Sequence, residues 1–141
     1  MTLELVLTVI SLVWAGAVLG VSFIATPIKF RAPMLDRPTA FDVGRVTFLF
    51  FEKVEWALAI LLILLILGAG PQSVPVVYGL IVVVIVALQV LWLTPKLVRR
   101  AVMLSSGEVP PESSAHRIFV ILEAVKLICL ILFGGHMATE L

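Results

Sequence analysis

Hydrophobic positions in this chain form long runs free of charge. Leu5 to Thr26 contains no charged residue, and at about 1.5 Å per residue it covers the roughly 30 Å hydrocarbon layer of a bilayer once. Ala57 to Thr94 is equally free of charge, but as one helix it would measure about 57 Å, so it must fold back. Gly68, Gly70, Pro71, Ser73 and Pro75 cluster near its centre and supply the turn of an antiparallel hairpin. Val76 to Leu93 is crowded with valine and isoleucine, which in water would suggest a strand. In lipid an open strand leaves its backbone groups unpaired, so a helix is expected. A last span covers Ile118 to Phe133 and is expected to stop at Gly134-Gly135, its helix starting earlier near Pro110-Pro111-Glu112. The pattern predicts an all-α integral membrane four-helix bundle of up-down topology. It is read as one domain over 1–141, with spans at about 4–27, 45–69, 75–94 and 117–134.

Composition agrees with the pattern. Of 141 residues, 62% are hydrophobic and 13% charged, and the mean hydropathy is +1.21. A chain this short cannot hide so much apolar surface inside a water-soluble fold, so the lipid bilayer is its first partner. A net charge of +1 gives no reason to expect nucleic acid. The single cysteine, Cys129, excludes an intrachain disulfide and reads as packing.

The charges that remain are unevenly placed. Lys29, Arg31, Arg37 and Arg45 lie between the first and second spans, and Lys96, Arg99, Arg100 and Arg117 between the third and fourth. The two tails and the Gly70 to Pro75 turn carry neither lysine nor arginine. The positive-inside rule then makes both basic connections cytoplasmic and both termini non-cytoplasmic, as in a bacterial inner membrane, with anionic lipid headgroups touching the basic loops. Glu4 precedes the first run, and the run continues past Ala15-Gly16-Ala17, which favours a retained helix over a cleaved signal peptide. Thr39-Ala40-Phe41-Asp42 resembles a capping box that starts the second helix ahead of the membrane. Lys96 to Leu104 extends the third helix as a basic amphipathic stretch ending at Ser105-Ser106-Gly107.

Five charged side chains fall inside spans: Glu52, Lys53, Glu55, Glu123 and Lys126. Glu52 and Glu55 share a helix face about 60° wide, whereas Lys53 points about 200° away from Glu55; Glu123 and Lys126 can pair locally. Counted inward from Arg45 and Arg117, Glu52 and Glu123 lie about 10 Å deep and Glu55 and Lys126 about 14 Å deep, with Gln89 about 9 Å from Pro95. One buried polar layer is therefore expected, formed by Glu52, Lys53, Glu55, Gln89, Glu123 and Lys126, with Arg45, His116 and Arg117 at its cytoplasmic rim. Gly20 and Ser22 pass at the same depth on the first helix. Ionised groups are costly in lipid, so the second and fourth helices should meet there. Three carboxylates against two ammonium groups leave one acid unbalanced, which suggests a proton-coupled site; a structural ion-pair network is the competing reading.

A metal is less well supported. His116 aligns with Glu123 and could join Glu52 and Glu55, but His136 lies beyond the opposite end and no Glu-x-x-His motif occurs. No cofactor is predicted. Gly16-Ala17-Val18-Leu19-Gly20 is a small-xxx-small pattern suited to close helix approach. Trp14, Trp92 and Tyr78 fit interface anchors, while Trp56 lies deep enough to pack in the bundle.

Gly20-Val21-Ser22-Phe23-Ile24-Ala25-Thr26-Pro27-Ile28-Lys29-Phe30, followed by Gly44-Arg45-Val46-Thr47-Phe48, resembles small four-helix membrane proteins of unknown function related to eukaryotic transmembrane protein 205. The resemblance implies four spans and a histidine opening the last helix, here His116. The short membrane-bound protoporphyrinogen oxidases are similar in size but place a histidine in the first helix, where this chain has none. Proton- or ion-coupled transport or permeation is the leading expectation, with a homo-oligomer as its form. An accessory or assembly subunit of a larger membrane complex is second. A membrane enzyme acting on a lipid or cofactor is third, since no catalytic triad or phosphate loop is visible.

Overall fold

A computed structural model describes residues 2–69 and 73–141, and all regular structure in them is helical. The first helix, α1, runs from Leu3 to Val18, passes through a π-helical stretch at Leu19–Ala25, and ends through Thr26–Ile28 and a 3₁₀ turn at Lys29–Arg31. The second, α2, is a single helix, Arg37–Ala69. The third, α3, joins Ser73–Leu88, a second π-helical stretch at Gln89–Leu93, and Thr94–Ser105. The last, α4, is Ala115–Thr139. Leu3–Arg31, Val76–Ser105 and Ala115–Thr139 are each long and apolar enough to cross a membrane. Helix α2 is longer still at 33 residues, but carries Glu52, Lys53 and Glu55 midway.

Several helix ends differ from the sequence expectation. Helix α2 is capped by Asp36, whose carboxylate accepts the Thr39 amide hydrogen at 2.9 Å. Asp42 pairs with Arg45 at 2.6 Å and does not reach back to Thr39 as a capping box would. Helix α4 starts at Ala115, beyond Pro110 and Pro111; the Ala115 amide donates to the Ser113 hydroxyl at 3.1 Å. Helix α3 does extend through the basic stretch to Ser105, and Gly107 follows with φ of 81°, the left-handed conformation that suits glycine. Of the turn expected at Gly68 to Pro75, Gly70, Pro71 and Gln72 lie outside the described residues.

The helices close into a ring in chain order, α1 on α2, α2 on α3, α3 on α4 and α4 back on α1. Helices α2 and α4 therefore lie on a diagonal; they meet as expected, but through the side chains of Glu55–Lys126 and Phe48–Phe119 and not by close backbone packing. Counting residues along a helix gives depth, but not the order of helices around the ring. The tight seam is α1 against α4. A methyl group at the buried Gly134 would lie 3.0 Å from the Leu12 side chain and 3.2 Å from Ser11 Cβ. Gly134 thus permits close approach, and Gly134-Gly135 does not stop the helix, which continues to Thr139. Gly16 and Gly20 have open space where a side chain would stand, so the small-xxx-small pattern forms no seam within this chain.

Two apolar clusters result. The larger contains Trp14, Val18, Leu62, Val82, Leu130 and Phe133, all at most 1% exposed, together with buried Cys129. The smaller, at the end carrying the basic connections, centres on Leu93, Ala115 and Phe119, with Phe48 edge-on to Phe119 at 5.5 Å. Lipid tails are as apolar as leucine, so these contacts stabilise the bundle through dispersion and fit more than by escape from solvent.

Candidate functional site

Lys126 on α4 is fully buried at the centre of the bundle. Its ammonium lies 2.5 Å from Glu55 Oε1, 2.5 Å from Glu123 Oε1 and 2.9 Å from Gln89 Oε1. An ammonium has three hydrogens to donate, and each has an acceptor. Glu123 Oε1 also accepts from Gln89 Nε2 at 2.7 Å, and its Oε2 accepts from the Ser22 hydroxyl at 2.5 Å. Glu55 Oε1 accepts a second bond from the Trp14 indole at 3.0 Å. All four helices contribute: Trp14 and Ser22 from α1, Glu55 from α2, Gln89 from α3, Glu123 and Lys126 from α4. The diagonal between α2 and α4 is bridged by the Glu55–Lys126 ion pair, which does what direct helix packing would otherwise do.

The two carboxylates are not equivalent. Glu123 uses both oxygens, while Glu55 directs both of its bonds to Oε1. Every fully enclosed side-chain nitrogen or oxygen among the described residues has a partner. The small exposure of Glu55, 3%, is where Oε2 keeps capacity to take a proton or a water.

Glu52 stands one turn nearer the basic end, half-buried, and accepts from the Thr94 hydroxyl of α3. Lys53 is exposed and joins neither carboxylate, consistent with its position on the far side of α2. The cluster therefore holds one ammonium group. Arg45 is engaged by Asp42 and sends no charge inward. His116 and Arg117 are exposed at the start of α4. No three histidine, cysteine or acidic side chains converge on a metal position among the described residues, so His116 and the three glutamates do not assemble the oxygen-rich site considered above.

A cleft of about 600 Å³ opens among the helices on the basic side and descends to Ser22, Thr94 and Glu123. Its shape depends on the two π-helical stretches. Pro27 and Pro95 have no amide hydrogen and would crowd the carbonyl one turn back. The ladder instead widens just before them: the Thr26 amide bonds to Val21 O and the Thr94 amide to Gln89 O, each five residues back. Thr26 and Thr94 then line the cleft from opposite helices.

Trp14 and Thr94 were missed by the sequence reading. Trp14 was expected at an interface, yet it stands near the middle of the first span and is completely buried. Thr94 could have been found from an internal repetition. Thr26-Pro27 and Thr94-Pro95 occupy matching places in the two halves, and Glu52-Lys53-Val54-Glu55 is matched by Glu123-Ala124-Val125-Lys126. Each half pairs a helix broken by Thr-Pro with a helix carrying two charges three apart, the form of a parallel repeat about an axis along the membrane normal. Trp92, by contrast, is exposed with Lys96 Nζ 4.6 Å from its ring centroid, as an interfacial aromatic would be.

A bundle of long apolar helices closed around a buried ion cluster defines a small integral membrane protein. The chain belongs to the family described as a domain of unknown function, DUF4149, whose sequence profile matches residues 9–104, from α1 to nearly the end of α3. Helix α4, with Glu123 and Lys126, follows the matched stretch. Comparison with curated proteins and with solved structures gives no match.

Proposed function

We propose that the protein moves protons, or an ion coupled to protons, across the membrane, with Glu55, Lys126 and Glu123 as the working group. The observation that carries this reading is the sharing of one buried ammonium by two buried carboxylates. With both acids ionised the cluster bears one net negative charge away from water, and binding one proton makes it neutral. Intramembrane ionisable groups are costly enough to be functional candidates by default. The cleft reaches Glu123 from the basic side, which the positive-inside rule makes cytoplasmic. Toward the termini the apolar cluster around Leu62 and Phe133 closes the path. Transport on this account needs rearrangement of that seal, for which the π-helical stretches of α1 and α3 are the natural hinges. Assembly as a homo-oligomer and kinship with transmembrane protein 205 belong to the same reading.

The test is proton flux in liposomes reconstituted with the wild type and with Glu55→Gln, followed with an internal pH-sensitive dye. The wild type should show a pH-dependent flux that the variant loses while keeping its helix content. Flux unchanged in a Glu55→Gln protein of lower thermal stability would make the cluster a structural clamp. Co-purification with a larger complex and no flux from the isolated chain would favour the accessory-subunit alternative.

A further inference from the structure

We propose that the cleft on the basic side binds a phospholipid with an anionic phosphate head, the phosphate lying between Lys29 and Arg100 and an acyl chain running along the phenylalanine walls. Five of the chain's ten lysines and arginines line it: Lys29, Arg37, Arg45, Arg100 and Arg117. The acid among the lining residues, Glu123, is already held by Lys126. Of the five cations, Arg45 has an acidic partner among the described residues, Asp42. The others bring uncompensated charge to one mouth. Arginine forks suit phosphate oxygens through paired, charge-assisted hydrogen bonds.

The walls argue for a lipid over a free ion. Phe23, Phe30, Phe41, Phe48 and Phe119 face the same space. Lys29 bridges the two chemistries: its ammonium lies 5.2 Å from the Phe30 ring centroid and lies over Gly44 of α2. A side chain at Gly44 would displace that ammonium, so the glycine leaves the lysine room for this position inside the cleft. A cavity of about 600 Å³ is within the range of small-molecule sites and takes a headgroup with part of one chain. Its mouth is at the helix ends where headgroups sit, and basic pockets between membrane helices are suited to acidic lipid heads. Such binding does not require the ion cluster to carry protons, so this inference goes beyond the transport reading and either can fail alone.

Native mass spectrometry of the full chain in detergent tests it, with short-chain phosphatidic acid, the matching phosphatidylcholine and inorganic phosphate in separate arms. The expected result is one phosphatidic acid bound per chain. Affinity should fall about tenfold in each of Lys29→Gln and Arg100→Gln, and less in Arg117→Gln, whose exposed side chain leaves the packing untouched. Wild-type affinity in the Lys29→Gln/Arg100→Gln double variant, with helix content retained, would overturn the proposal. So would equal binding of phosphatidylcholine. Inorganic phosphate binding as tightly as the lipid would assign the cations to a soluble phosphate and overturn the role of the walls.

Discussion

On the side of the ion cluster nearer the termini, Leu62, Val82, Leu130 and Phe133 are all at most 1% exposed, and Gly134 brings α1 and α4 into direct contact. On the basic side the same four helices part around a cleft of about 600 Å³, and α1 and α3 are each interrupted by a π-helical stretch before a proline. The difference shows how a small bundle can reach its own buried charges. The closed half fixes the positions of Lys126, Glu55 and Glu123, while the open half, where the regular ladder is broken, leaves room to approach Glu123. Stability should therefore respond mainly to changes in the closed half and lipid binding mainly to changes in the open half, while changes in the cluster between them should move both stability and transport.

Lys126→Met should have the largest effect on this contrast. It leaves Glu55 and Glu123 buried without a cation and should destabilise the protein by about 3–5 kcal/mol, measured by thermal unfolding in detergent. Adding Glu55→Gln and Glu123→Gln to that variant should restore much of the loss. Gly134→Val should cost about 1–3 kcal/mol by forcing apart the seam at Leu12, whereas Gly135→Val, directed into open space, should change stability by less than about 0.5 kcal/mol. Equal effects from the two would remove the special status of the α1–α4 seam. Trp14→Phe keeps the ring but removes the bond to Glu55, and a loss of about 1 kcal/mol is expected.

The smallest expected effect is at the open end. Hydrogen bonds from Thr39 hold the exposed Asp36 carboxyl below its ordinary range. A carboxyl depressed in the folded state stabilises above its unfolded pKa, and that contribution fades as pH falls through the folded one. Asp36→Ala should slightly flatten the acid side of the stability profile and leave the region above neutrality parallel to wild type.

Much of the cluster was legible because charge in a lipid-spanning run is conspicuous. Residue counting alone put Glu55, Gln89, Glu123 and Lys126 at one level. Lys53 shows the limit of grouping by depth: it has the right level but the wrong face, as its angle from Glu55 already implied. Ring order was hidden, since nothing in the sequence of a single helix says which neighbour lies across the diagonal. Trp14 was misplaced because its residue type was read as an interfacial anchor although it stands near the middle of the span, and the acceptor that its indole finds there, Glu55, lies on another helix. Gly134 was misplaced because glycine ends helices in water, while inside a bundle its missing side chain serves close contact.

The proposed function requires that the buried carboxylate pair carry an exchangeable proton held against Lys126. Infrared difference spectroscopy of the detergent-solubilised protein between acid and alkaline buffer tests it directly, through the stretching band of a protonated carboxyl group in an apolar setting. A titrating band is expected in the wild type, lost in the Glu55→Gln/Glu123→Gln double variant and retained in Glu52→Gln. A wild type with no such band at any pH, or a band that survives in the double variant, would contradict it.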